Sequence, residues 1–148
     1  MSEYNTSTIK DEKIRYITVG EFKVGNWVMG EAGRRIEQVH PGMIQSEWGE
    51  KWSKQELPFI GIPLTVEMVE HSDFTEREKF FDQRCFELGP YLLTVPLKAS
   101  DKYVIFKTRK GLPSEFVYHV EFVHELQNIL REKEGKSIKI DPHAGKQI

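Results

Sequence analysis

The stretch Phe122-Val-His-Glu-Leu-Gln-Asn-Ile-Leu-Arg-Glu-Lys-Glu-Gly135 constrains the fold more than any other part of the chain. Phe122, Val123, Leu126, Ile129 and Leu130 recur at the spacing that gathers them on one side of an α-helix. Glu121 and Glu125 fall in the early turns and Arg131 and Lys133 in the last, the order that the helix dipole favours. Gly135 supplies a C-terminal cap. A helix with one apolar side closes one side of a core, so the rest of the chain is expected to provide a surface for it.

That surface reads as antiparallel strands. Residues 1–12 are polar, lack periodicity and are expected to form a disordered tail. Ile14, Tyr16 and Thr18 alternate with neighbours in a strand-like run. Val24-Gly-Asn-Trp-Val28 reads as a tight turn entering a strand and Glu31-Ala-Gly33 as a hairpin turn. Arg34 to Val39 is the return strand, closed by His40-Pro-Gly42. Met43 to Gln45 is expected to begin a third strand. Glu47 to Ser53 should be a loop, since Gly49 weakens a helix there by about 1 kcal/mol. Pro58 to Pro63 is extended, and Thr65 caps a short helix to His71. A polar loop over Ser72 to Lys79 separates the halves, and strands follow over 80–88, 91–97 and 103–107. Arg109-Lys-Gly-Leu-Pro113 breaks the pattern, and Phe116 to Val120 extends a strand or starts the final helix. Ser137 to Ile140 reads as a terminal strand and 141–148 as a second disordered tail.

The expected architecture is α+β, in a single domain over 13–140. Residues 13–64 form a small, strongly bent antiparallel sheet or barrel. Residues 65–140 form a second antiparallel sheet, packed by the long C-terminal helix and the short central one.

Chemical signatures are few. At 148 residues the chain needs neither a disulfide nor a metal to fold. A net charge of -2 argues against a strongly basic nucleic-acid binder, although it allows a local patch. The single cysteine, Cys85, precludes an internal disulfide and is expected to be an inert, half-buried strand thiol. The apolar runs are too short to cross a bilayer and the polar N-terminus has no secretory core, so a cytoplasmic location is expected. There is no nucleophile elbow, phosphate loop or dinucleotide fingerprint. His119 and His124 lie five positions apart, roughly 140° around a regular helix, and cannot share an ion there. The expectation is a non-enzymatic protein without cofactor or metal.

Three groups of residues are candidates for binding. On a helical wheel His119 falls inside the apolar arc, as a histidine at the core edge, while His124, Gln127 and Asn128 form a polar flank able to reach a partner. Trp48 and Trp52, with Lys51 and Lys54, would make a ligand or partner surface if exposed. The alternative is a nucleic-acid patch. Arg34 and Arg35 stand near Trp27, and Lys107, Arg109 and Lys110 follow the aromatic run Tyr103 to Phe106, a combination that suits phosphates and stacked bases. A homo-oligomer through a helix face leaves no distinctive mark in one sequence and stays open.

Phe22-Lys-Val-Gly-Asn-Trp-Val28, Ile62-Pro-Leu-Thr65 and Val123-His-Glu-Leu-Gln-Asn128 follow one another in that order. Together they resemble a group of small, uncharacterised bacterial and phage-associated proteins. That group has a Leu-x-Ile-Gly-Asn-Trp-Val opening, a Pro-Ile-Pro-Leu-Thr middle and a Val-His-Gln-Leu-Gln-Asn helix. The chain departs from it at Glu125, in a longer middle region, and in its charged Arg-Glu-Lys-Glu helix end. The resemblance implies a Src-homology-like barrel in the N-terminal half and a phage or mobile-element source. That group has no assigned activity; the resemblance, the missing catalytic pattern and the compact size together lead to the expectation of a protein that binds a host protein or sequesters a small signalling ligand in the host cytoplasm.

Overall fold

The computed structural model describes residues 14–80, 82–98, 101–109, 112–135 and 137–144. Four short strands make the first sheet: β1 (Tyr16–Thr18), β2 (Trp27–Gly30), β3 (Ile36–Gln38) and β4 (Glu56–Ile60), in the order β1-β4-β2-β3. Its ladders are antiparallel, with Met29 opposite Ile36 on one side and Ile60 on the other. β1 and β3 remain edges, so the sheet is open and the expected barrel does not close. Four strands are too few to surround a side-chain interior.

Thr65 accepts a hydrogen bond from the Met68 N–H at 3.3 Å and starts a short helix, α1 (Val66–Glu70), as its sequence position predicts. The second sheet is an antiparallel meander of five strands in chain order: β5 (Thr75–Phe80), β6 (Gln83–Leu88), β7 (Tyr91–Thr94), β8 (Tyr103–Arg109) and β9 (Leu112–Val120). The long helix α2 (Val123–Glu134) follows, and its end is closed by the Gly135 N–H on the Arg131 carbonyl at 2.8 Å. The fold is α+β, as expected.

Several boundaries differ from the sequence reading. The polar run expected as a loop over 72–79 contains β5, an exposed edge strand of charged residues. Charge on an edge strand discourages pairing with other chains, so strand and polarity are compatible there. β9 begins at Leu112 and includes Pro113, which an edge strand tolerates. Residues 43–45 form no strand, because Pro41–Met43 is a 3-10 turn. Glu50–Trp52 is another, inside the predicted loop. Residues 137–140 are not a strand either, yet Ile138 and Ile140 are buried. Asp141 to Ala144, expected in a disordered tail, include a turn; 1–13 and 145–148 lie outside the described residues.

Two main apolar cores and a third, minor cluster form among the described residues. The larger lies between the second sheet and α2, where Phe86, Leu93 and Ile105 meet Val123, Leu126 and Leu130, with Met68 and Val69 of α1. The smaller belongs to the first sheet and holds Ile17, Phe22, Val28, Val39 and Leu57. Along β2 the alternation of a strand divides the residues: Val28 points to the smaller core, while Trp27 and Met29 pack on the larger one. The first sheet is therefore wedged between its own core and α2. Cys85 is fully buried on a third cluster with Leu92 and Phe106, and its thiol donates to the Glu78 carbonyl at 3.0 Å. Among the described residues no helix is long and apolar enough to cross a membrane.

Leu126 has no exposed surface at the centre of the larger core. Leu126→Ala should lower stability by about 2–5 kcal/mol in urea denaturation. An unchanged midpoint would mean that α2 does not close the core.

Candidate functional site

The polar flank of α2 does not face solvent. His124 is 0% exposed and Gln127 8%, and both are turned onto the loop from Glu21 to Trp27. Gln127 accepts from the Trp27 N–H at 2.9 Å and donates to the Gly25 carbonyl at 3.0 Å. Asn128 donates to the Glu21 carbonyl at 2.9 Å and accepts from Asn26 Nδ2 at 2.9 Å. The remaining Asn26 oxygen accepts from the Lys23 N–H at 2.9 Å, inside the same loop. A carboxamide carries both donors and an acceptor without net charge, so it can satisfy buried backbone groups of both kinds. The partner-binding role expected for His124, Gln127 and Asn128 is thus corrected: these side chains are spent within the fold, as the joint between helix and first sheet.

His119 and His124 exchange the environments read from the helical wheel. β9 runs through Val120, so His119 sits on a strand and is exposed, whereas His124 opens the helix and is buried. Its ring stacks on Phe122 at 6.1 Å, and the pair leaves no room beside Gly61, where an added Cβ would lie 2.8 Å from the Phe122 ring. His124 Nε2 is 3.4 Å from both Glu21 Oε2 and Arg15 Nη1. Arg15 is a donor, so the Glu21 carboxylate is the group to which an Nε2 proton can be given. Nδ1 is buried without a hydrogen-bond partner among the described residues.

Glu21 gathers the charges at this joint. It pairs with Arg15 and accepts from the Thr18 N–H at 3.0 Å, while Glu125 approaches Arg15 at 3.7 Å. Burial pushes the Glu21 carboxyl up, but hydrogen bonds from His124, the Thr18 backbone and Arg15 outweigh it and hold the group well below its ordinary value of 4.5. Glu125 also accepts from the Glu121 and Phe122 N–H groups at 2.8 and 3.0 Å, and so caps α2.

On the other side of the same loop is an open groove of about 430 Å³. Val19, Phe22, Val24, Ile44 and Trp48 line it, with Lys23 as the one charged lining residue among the described residues. Trp48 is half-buried and meets Phe22 edge-on at 6.3 Å; Phe22 in turn stacks on Phe59 at 5.2 Å. Trp52 is 38% exposed on the same loop as Trp48, with the Lys51 ammonium 5.3 Å from its ring centre. Of the predicted tryptophan pair, Trp48 helps form a concavity and Trp52 stands at the surface. Phe22, Lys23, Val24 and Ile44 were missed as site residues. The glycine and asparagine after Val24 mark a turn, and no local signal shows what such a turn will lie beside.

The basic residues are not brought together as a patch by one element. Arg34 and Arg35 occupy the β2–β3 turn of the first sheet, and Lys107 is exposed on β8 of the second. Lys110 and the side chain of Arg109 lie outside the described residues. Tyr103 and Phe106 are buried, and Trp27 packs on the larger core, so these rings do not present faces for bases. Among the described residues no group of three His, Cys, Asp or Glu side chains could hold a metal ion.

Two outcomes test the joint. Gln127→Ala leaves the Trp27 N–H without its side-chain partner, while the Gly25 carbonyl keeps Gln38 Nε2 at 3.1 Å, and should cost about 1–3 kcal/mol by urea denaturation. An effect below a few tenths would show that the amide contributes nothing. Because the folded Glu21 carboxyl is depressed, its stabilisation is present above pH 4.5 and is lost progressively as pH falls below it. The stability gap between wild type and Glu21→Gln should therefore shrink from pH 7 to pH 3; a constant gap contradicts the assignment.

No protein-family model, no curated protein and no solved structure matches this chain.

Proposed function

We propose that the protein is a non-enzymatic binding module that seats a side chain of a partner protein in the Trp48 groove. One observation carries the proposal: a largely apolar, solvent-open concavity whose wall, Phe22 to Val24, is held at its flanks, Glu21 and Gly25, by the amides of α2 and at Lys23 by the Asn26 side chain. A wall fixed before binding lowers the ordering cost that association must overcome. Sites for small ligands commonly enclose most of the ligand surface. An open groove, with Val24 40% exposed and Trp52 38% exposed beside it, suits a protruding side chain on a larger surface better than a sequestered signalling molecule. Aromatic residues at the centre of a docking patch often dominate its affinity.

That the partner is a host protein, and the chain of phage or mobile-element type, rests on the motif resemblance alone and belongs to the same proposal. The test is selection of a random peptide library on the folded protein, with counter-selection on a Trp48→Ser variant. Enriched peptides should carry an aromatic or large aliphatic anchor and bind the variant at least about tenfold more weakly, the effect of losing a hot-spot residue. Peptides that bind both proteins equally would remove the groove from the function.

A further inference from the structure

The groove has one charged residue in its described lining, beside the uncharged polar residues Gln45 and Ser53. Lys23 enters its lining from the wall formed by residues 22–24, and its backbone is fixed there by the Asn26 side chain at 2.9 Å. Arg15, Arg77, Arg84 and Lys102 each face a carboxylate within the chain. The Lys23 ammonium has no carboxylate partner among the described residues. Glu47, Glu50, Lys51 and Lys54 are exposed on the loop around Trp48, where the two signs balance, and none of the four lines the groove. Lys23 is itself exposed, so the charge without a carboxylate partner at the edge of the concavity is positive.

We infer that the partner presents an acidic residue directly beside its apolar anchor, the anchor lying against Phe22 and Trp48 and the carboxylate meeting Lys23. The inference rests on the docking role proposed for this groove and adds the chemistry of its occupant. Because Lys23 is exposed, a carboxylate meeting it at the mouth of the groove forms a solvent-screened pair of modest strength. A basic neighbour of the anchor would meet Lys23 as a like charge. Such a contact sorts partners more than it adds bulk affinity.

Three capped tripeptides with a central tryptophan, flanked by aspartates, serines or lysines, separate the possibilities. Each is titrated into the full-length, nitrogen-15-labelled protein while the indole signals of its three tryptophans, Trp27, Trp48 and Trp52, are followed. Trp27, packed on the larger core, is the internal reference. The Trp48 signal should move with all three peptides. The acidic peptide should bind about two- to five-fold tighter than the neutral one, and the basic peptide should bind weakest. The acidic preference should shrink with added salt and disappear in Lys23→Gln, but persist in Lys107→Gln on the second sheet. Equal affinity for the three peptides, or a preference that survives Lys23→Gln, overturns the acidic partner while leaving the docking role intact. A Trp48 signal that none of the peptides moves overturns the docking role as well. A signal that moves with protein concentration alone assigns the groove to a second copy and overturns both.

Discussion

Three carboxamides hold the two halves of this molecule in register. Gln127 and Asn128 on α2 and Asn26 on the facing loop hydrogen-bond backbone groups of residues 21–27, among them the Trp27 N–H and the Glu21 carbonyl. Unpaired groups of this kind cost as much as a sizeable share of a domain's net stability. Apolar side chains at these positions would strand the loop's N–H and C=O groups, and charged ones would be costly to desolvate. The helix thus has two working faces. One packs by area on the second sheet; the other binds by direction to the first.

The same loop connects packing to function. Its backbone polar groups turn towards α2, while the side chains of Phe22, Lys23 and Val24 line the groove on the other side. The shape of the groove therefore depends on contacts with residues about a hundred positions away in the chain, such as Asn26 with Asn128. Nearby, the Arg15–Glu21–His124 cluster gives the joint a charged margin whose contribution to stability depends on pH. His124 Nδ1, buried and without a hydrogen-bond partner among the described residues, lies in that margin.

Helix α2 was legible because its apolar period is unbroken from Phe122 to Leu130, and Thr65 was legible as a cap because a hydroxyl before a helix has a local partner. Strand boundaries were less so. β5 carries Glu76, Arg77, Glu78 and Lys79, a polarity that loops and edge strands share. His119 was placed by a wheel that assumed helix before Phe122, but β9 extends to Val120 and reverses the comparison with His124. For Gln127 and Asn128 the wheel was right about which residues share a face and silent about what covers that face.

The groove follows the same logic. Phe22 lies more than twenty residues before Ile44 and Trp48 and meets them in the groove only through the tertiary fold. By itself the sequence determined what depends on neighbouring residues: the helix, its caps, the turns and the antiparallel α+β character. Tertiary structure decided what depends on distant ones: the open sheet, the burial of the amide face and the place of Lys23 at the edge of an apolar groove. Periodicity specifies how residues are arranged around one element, whereas burial and pairing require a second element whose position no local pattern contains.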